Sequence, residues 1–358
     1  MIYFILVLSV LVLVHEFGHF AAAKRLGVRV DIFSFGFGPK LFEVKKGDTS
    51  YVLSAIPLGG YIKMAGDEPN EALKHQKWEF LSRKVSERAQ IIAAGPVLNY
   101  ILAFVIFAVI FMFGSPTLTT EVGGLLKDYP AEKYGIMKGD KVIAIDGKGV
   151  RFWEDMAETI NRHPGGTMRI LFERSGHRME KDIVPVVRKT KDIFGKEVSV
   201  SLIGITPSQE IIKVRYGFVD SLKMGWKKLI SLTVVTFKAL WSIMIGRLSM
   251  RESMTGPIGI FVVTGQAAKL GLIYIFHLMG ILSASLAIFN ILPLPVLDGG
   301  HIIFLILEKL RGRPLSVRTQ EIITNIGISF LIVLTVFIFY NDIVKFGVGA
   351  KIIGIFKK

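Results

Sequence analysis

The sequence predicts a polytopic α-helical membrane protein with about four transmembrane helices, a membrane-associated β-hairpin region and one inserted α+β domain. Three observations predict it. Hydrophobic residues make up 51% of the 358 positions and mean hydropathy is +0.50, more than a soluble domain usually carries. The apolar residues gather into four runs, each near the ~20 residues with which a helix crosses the hydrocarbon core. Between the second and third runs the character changes, and short β-like segments alternate with glycine-containing turns.

The first run extends from Ile2 to about Ala23. Ala21–Ala23 could pass for a signal-peptide cleavage site, but a signal peptide opens with a basic segment and no Lys or Arg precedes Lys24. We therefore read a retained span. Residues 31–66 are rich in Phe, Val and Tyr, with a charged turn at Lys45–Asp48, and predict a β-hairpin or small sheet. Residues 67–90 are polar and are expected to be helical up to the second span, Val97–Phe113, which Gly95 and Pro96 open. Residues 117–207 predict a compact α+β domain. Its strands are expected at Val142–Ile145, Met168–Phe172, Ile183–Val187 and Val198–Ile203, and its amphipathic helix at Phe152–Asn161.

Residues 208–271 mix apolar residues with Lys213, Arg215, Lys223, Lys227, Lys228 and Lys238, a pattern suited to a helix lying in the membrane interface. Leu272–Leu292 is the third span. Leu294–Gly300 interrupts it, His301–Leu310 continues apolar, and Ile322–Tyr340 is the fourth. The expected divisions are 1–116, 117–207, 208–271 and 272–358.

The formal charge of +15 would suit nucleic acid if it belonged to a basic soluble block with aromatic platforms. No such block is present. The basic residues sit beside apolar segments, where they favour anionic lipid headgroups. There are no cysteines, so thiolate nucleophiles and cysteine metal sites are excluded, leaving His, Asp and Glu as possible ligands.

The strongest local signal is His15-Glu16-Phe17-Gly18-His19. Residues four apart share one helix face, so two imidazoles can reach one metal ion, with Glu16 beside the first as a base. Zinc accepts two such nitrogens and a carboxylate and keeps a fourth position for water. Two His and a Glu in an apolar span each cost free energy that a metal and water would offset. Asp298 is the candidate third ligand, at the end of an apolar segment that Pro293 and Pro295 break. Taken alone, Asp298 followed by two glycines would also suit a helix N-cap. Asn99, near the start of the second span, could bond across helices or to substrate backbone. His301 could support Asp298 or simply open a helix. His277 is expected to pack, and His75, His163 and His177 to be solvated.

HEFGH, FGFGPKLF, IPLGGYIKM, Gly95-Pro96-Val-Leu-Asn99 and NILPLPVLDGGH follow one another in an order that resembles the site-2 protease family of intramembrane zinc metalloproteases, in its bacterial RseP-type branch. The resemblance covers nearly the whole chain. It implies zinc held by His15, His19 and Asp298, with Glu16 catalytic. It implies substrate-handling roles for Asn99, Asn290, Gly36 and Gly38, and an edge strand within residues 33–63 that holds an unwound substrate. Residues 117–207 resemble a PDZ module, most clearly over Tyr129–Gly147. That module would capture a chain end or act as a size filter. Many members carry two tandem PDZ domains and an Asn where Ser285 stands here.

The implied activity is cleavage of transmembrane segments of other membrane proteins, such as anti-sigma factors or remnant signal peptides. The implied location is the bacterial cytoplasmic membrane. Lys24, Arg25, Lys309, Arg311 and Arg313 would be cytoplasmic under the positive-inside rule, placing the PDZ-like domain and both termini outside. Lys345, Lys351, Lys357 and Lys358 count against that orientation. Two other readings stand beside this one: a quality-control metalloprotease with a cytoplasm-facing site, in which Asp298 has no role, and a non-catalytic PDZ scaffold.

Overall fold

A computed structural model describes residues 1–68 and 76–347. The chain divides into two compact units, the first formed by Met1–Ile110, Leu222–Phe237 and Met250–Lys358, the second by Phe111–Ser221 and Lys238–Ser249.

The first unit opens with helix α1 (Ile2–Arg25), followed by strands β1 (Val30–Lys46) and β2 (Thr49–Met64) and helix α2 (Val85–Phe113). Each strand bends and pairs twice. Ile32–Phe35 bonds to Ser50–Leu53 on one side and to Gly60–Lys63 on the other, while Phe42–Lys46 bonds to Thr49–Leu53. The result is a four-layer ladder with Gly60–Lys63 along one edge, and no strand covers that edge among the described residues. The bend in β1 falls at Gly36 and Gly38, both in the left-handed region, with φ of +91° and +85°. A Cβ on Gly36 would lie 2.8 Å from the Ile56 carbonyl oxygen, so no larger residue fits the return of β2.

The expected helix over 67–90 is corrected in part: 69–75 lie outside the described residues, 85–90 are helical as the start of α2, and 76–84 form turns. The backbone there is occupied elsewhere: Arg29 N–H donates to Trp78, and Phe80 N–H and Leu81 N–H donate to Ala65 and Gly66. Phe80 joins Ala23, Val28, Val30 and Ile91 in a buried cluster that fastens the sheet to α1 and α2. His75 lies outside the described residues.

The second unit contains β3 (Ser115–Leu118), β4 (Val122–Leu125), a short α3 (Pro130–Lys133), β5 (Lys141–Ile145), β6 (Lys148–Gly149) and α4 (Trp153–Asn161). β7 (Met168–Arg174), β8 (His177–Ile183), β9 (Val186–Lys191), β10 (Glu197–Leu202), β11 (Ile205–Pro207) and β12 (Ile211–Val214) follow. The largest sheet has the order β6-β5-β7-β8. Met168, Ile170 and Phe172 alternate inward from β7 onto Met156 and Ile160 of α4, the period-2 and helical patterns that the sequence carries. Each fully buried large side chain there is worth about 1.5–3 kcal/mol of transfer free energy. The expected strand Ile183–Val187 is corrected to two strands, because Pro185 lacks the N–H that a continuous ladder needs. His163 is not solvated as expected. Its side chain is largely buried, 3.4 Å from Asp146.

The chain continues through α5 (Phe218–Met244), a short α6 (Met250–Ser253), α7 (Pro257–Leu270), α8 (Leu272–Ile291), α9 (Asp298–Arg311) and α10 (Val317–Lys345). Asp342 of α10 is fully buried and accepts hydrogen bonds from Gly256 N–H and Gly259 N–H, capping α7 from another helix. Among the described residues four helices are long and apolar enough to cross a membrane: α1, α2, α8 and α10. These are the four expected, with α2 and α10 longer than the apolar runs alone indicate.

Candidate metal centre

His15 and His19 lie one turn apart on α1, both buried. Their Nε2 atoms are 3.2 Å apart. Asp298 meets both, with Oδ2 3.2 Å from His15 Nε2 and Oδ1 3.6 Å from His19 Nε2. One donor atom from each of the three residues falls within a 4.8 Å cluster. Ligands at the corners of a tetrahedral zinc site stand about 3.3 Å apart, so the cluster has the spacing that such an ion requires. The second histidine is oriented for it as well. His19 Nδ1 is 2.9 Å from the Ile91 carbonyl oxygen and donates to it, which leaves Nε2 with a free lone pair. Pro96, inside α2, has no N–H to give the neighbouring Ile92 carbonyl.

What allows α2 so close is glycine. A Cβ on Gly95 would stand 2.3 Å from His19 Nε2 and 2.9 Å from His15 Cε1, inside the donor cluster itself. Gly18, on α1, would meet the Ala94 carbonyl oxygen at 2.4 Å. The two glycines let the helices cross in contact, the small-residue packing that membrane helices use in place of a hydrophobic drive.

Asp298 arrives by a different route. It occupies the first turn of α9, and Leu297 rather than Asp298 is the N-cap. After α8 ends, the Pro293–Leu297 loop folds back against the glycines that follow Asp298. A Cβ on Gly299 would lie 2.2 Å from the Leu292 carbonyl oxygen, and one on Gly300 2.3 Å from that of Leu294. Val296 holds φ of +81° in this loop, a β-branched residue in a region that costs roughly 1–3 kcal/mol.

The cluster opens into a cavity of about 440 Å³ that Glu16, Asn290, Val296 and His301 also line. Ile62 and Met64 reach it from the uncovered edge strand. Gly60 of that strand sits against Glu16, where its Cβ would be 3.4 Å from Glu16 Cγ. Asn290 Nδ2 is 3.4 Å from His15 Nε2, so its amide stands at the mouth of the cluster. Asn99 is fully buried, with its amide 3.5 Å from His15 Nδ1 on the far side of the ring. Gly36 and Gly38 shape the bend of β1 and are not among the cavity-lining residues. His277 packs its ring against Phe107. Gly95 and Gly60 lie in stretches that carry the family resemblance, but their contact with the centre was not legible there, since a glycine's importance here lies in what another element brings beside it.

Comparison with known proteins agrees with the geometry. The pattern of peptidase family M50 matches residues 3–334. A protein of Agrobacterium fabrum that carries a provisional zinc metalloprotease name is 36% identical over 357 residues, covering 95% of this chain and 94% of that one. Zinc metalloprotease RasP of Bacillus licheniformis is 28% identical over 419 positions, covering 95% and 97%. The regulator of sigma E protease of Haemophilus influenzae is 29% identical over 446 positions, covering 96% and 98%.

Proposed function

The chain belongs to peptidase family M50, and from that premise we propose that it is a zinc-dependent intramembrane endopeptidase working at the His15, His19 and Asp298 centre. The observation that carries this reading is the convergence of three metal-suited donors within 4.8 Å, with Glu16 on the same cavity wall. A zinc ion in that site supplies Lewis-acid polarisation of a carbonyl and of water.

The chain's own groups do the rest. Glu16 takes the proton of the attacking water and passes it to the leaving amine. His15 and His19 hold the ion from α1, and Asp298 holds it from α9. Asn290 offers an amide N–H at the cavity, placed to bond a substrate carbonyl oxygen. A helical substrate hides its peptide bonds and has to be extended first. The uncovered edge of Gly60–Lys63, beside Glu16, suits capture of an extended segment by strand addition.

The substrates are transmembrane segments of other membrane proteins, with anti-sigma factors and remnant signal peptides as the expected classes. The relative named regulator of sigma E protease favours the first of these. The protein is a multi-pass protein of the bacterial cytoplasmic membrane, with residues 117–207 as a PDZ-like domain on the outer side. That domain gates or recruits substrate. Lys24 and Arg25 at the end of α1 and Lys309 and Arg311 in the last turn of α9 support this orientation.

The test is cleavage of a fluorescent model transmembrane substrate by the purified full chain in detergent, with zinc counted in each sample. Wild type should cut and carry zinc. Glu16→Gln should keep zinc and lose about 10²–10⁴-fold in rate, and Asp298→Ala should lose both. Zinc and activity surviving in Asp298→Ala would sink the ligand assignment and favour a different, cytoplasm-facing site.

A further inference from the structure

Of the two histidines of the centre, one has its orientation explained and the other, His15, does not. His19 is fixed through Nδ1 by the Ile91 carbonyl. His15 has three polar neighbours at Nε2, namely His19, Asp298 and Asn290. At Nδ1 its hydrogen-bond neighbour among the described residues is the Asn99 amide, 3.5 Å away. Asn99 has no exposed surface, and its Oδ1 is one of two buried side-chain polar atoms without a partner among the described residues. A buried amide oxygen with nothing to accept from is rare, and such an atom calls for an explanation.

The explanation lies in the symmetry of the amide. Its oxygen and nitrogen ends have the same shape, and which one faces a neighbour follows from the hydrogen bonds each can make. With Nδ2 toward His15, the ring accepts at Nδ1 and carries its proton on Nε2, pointed into the donor cluster. With Oδ1 toward His15, the ring donates from Nδ1 and Nε2 keeps its lone pair for a metal. Only the second arrangement matches what Ile91 does for His19.

Asn99 is also held in place. Ser283 of α8 donates its hydroxyl to the Asn99 carbonyl oxygen at 2.7 Å, with both residues fully buried. Three helices thus meet at this point: α1 carries the ring, α2 the amide, and α8 the hydroxyl that anchors the amide's backbone. The burial also separates Asn99 from the cavity that substrate would enter, since Asn99 is not among its lining residues.

We propose that Asn99 is a positioning residue for the metal centre: its side-chain oxygen accepts the Nδ1 proton of His15 and so fixes the tautomer and ring angle that present Nε2 to the ion. The inference rests on the reading of His15 as a ligand. It gives the two histidines matched supports, one from a backbone carbonyl and one from a side chain, and both supports come from α2.

The experiment measures the zinc dissociation constant of the purified full chain in detergent, by competition with a chelator of known affinity. Asn99→Leu, which keeps the branched heavy-atom outline and removes the acceptor, is expected to weaken zinc by about 10–100-fold. Asn99→Asp keeps an oxygen at the same place and should hold zinc within about threefold of wild type or more tightly. Cobalt substituted for zinc reports the ligand field, and its visible spectrum should change in Asn99→Leu and not in Asn99→Asp. Where the leucine variant does not fold, Asn99→Ala takes its place.

Two results overturn the proposal. In one, Asn99→Leu binds zinc as wild type does, which makes Asn99 a packing residue. In the other, Asn99→Asp and Asn99→Leu lose zinc equally, which makes the amide N–H the working end. A purely structural role would lower the melting temperature of the metal-free protein and leave the cobalt spectrum of the loaded protein alone. His15→Ala, run in parallel, separates the two levels: if it keeps zinc, the ligand reading itself has failed, whatever Asn99 does.

Discussion

Two carboxylates, Asp140 in the second unit and the partly buried Asp298 in the first, show how differently an acid can be used. Asp140, in the second unit, has no exposed surface and is fully partnered. Arg174 donates to both of its oxygens at 2.7 Å, and Met137 N–H adds a third bond. Those hydrogen bonds to Asp140 raise the Arg174 guanidinium above its ordinary pKa. Asp298, in the first unit, faces two imidazole nitrogens and a cavity, with no Lys or Arg paired to it among the described residues. On the proposed reading, the closed network of Asp140 is structure and the open one of Asp298 is a place for a cation, so the same residue type serves both purposes.

The sharpest way to break that comparison is at Gly95. Adding one methyl group there places a carbon 2.3 Å from His19 Nε2, so Gly95→Ala should reduce zinc affinity by more than about 100-fold, beyond what loss of a supporting hydrogen bond does. Cleavage should fall with it. Zinc content read by mass spectrometry would check this, and a fully loaded Gly95→Ala protein would mean that the helices do not cross as closely as described. The converse change is Asp140→Ala. It strands Arg174 and should lower the melting temperature of the second unit by roughly 10 °C, while zinc content stays at the wild-type level. Loss of zinc in that variant would erase the distinction between the two acids.

A third test asks whether a closed network behaves as structure inside the first unit too. Arg88 of α2 and Glu308 of α9 form a largely buried ion pair. Arg88→Met alone leaves a buried carboxylate and should cost about 3 kcal/mol, whereas Arg88→Met with Glu308→Met should come back close to wild type. Thermal or denaturant unfolding in detergent measures both. A double variant as unstable as the single one would show that the ion pair does more than satisfy itself.

These contrasts also mark what the sequence could carry. The four spans and the 15/19 spacing were legible because they rest on local periodicity, which one segment encodes by itself. Asp298 was legible at one remove, through the prolines before it and its pairing with the His15/His19 motif in a chain with few other intramembrane acids. Gly95, Gly60 and the pairing of Asn99 with His15 were not. Each depends on a second element arriving at contact distance, and a glycine or asparagine in a helix reads the same whether or not that happens. The start of α2 was misplaced for a related reason. Polar residues 76–84 have helical composition, but their backbone donors and acceptors are taken by Arg29, Ala65 and Gly66, and tertiary pairing overrode local preference.

The smallest expected effect is at Asp342, and it decides how far the comparison extends. An ionisable residue in a membrane-crossing helix is by default a functional candidate. Asp342, however, resembles Asp140 more than Asp298. Its two oxygens accept from Gly256 N–H and Gly259 N–H, at 3.1 and 2.9 Å, and so complete the first turn of α7. Gly256 is the N-cap there and has no side chain of its own to do this. Asp342→Asn keeps one acceptor and the shape, and should cost about 1 kcal/mol, the value of a lost helix cap. Zinc affinity and cleavage rate should be unchanged, because the acid's bonds are closed on α7. A stability loss alone, read from the unfolding midpoint, would place Asp342 with the structural acids. Unchanged stability with slower cleavage would place it with Asp298 instead, and closure of a buried network would no longer be sufficient to recognise an acid as structural.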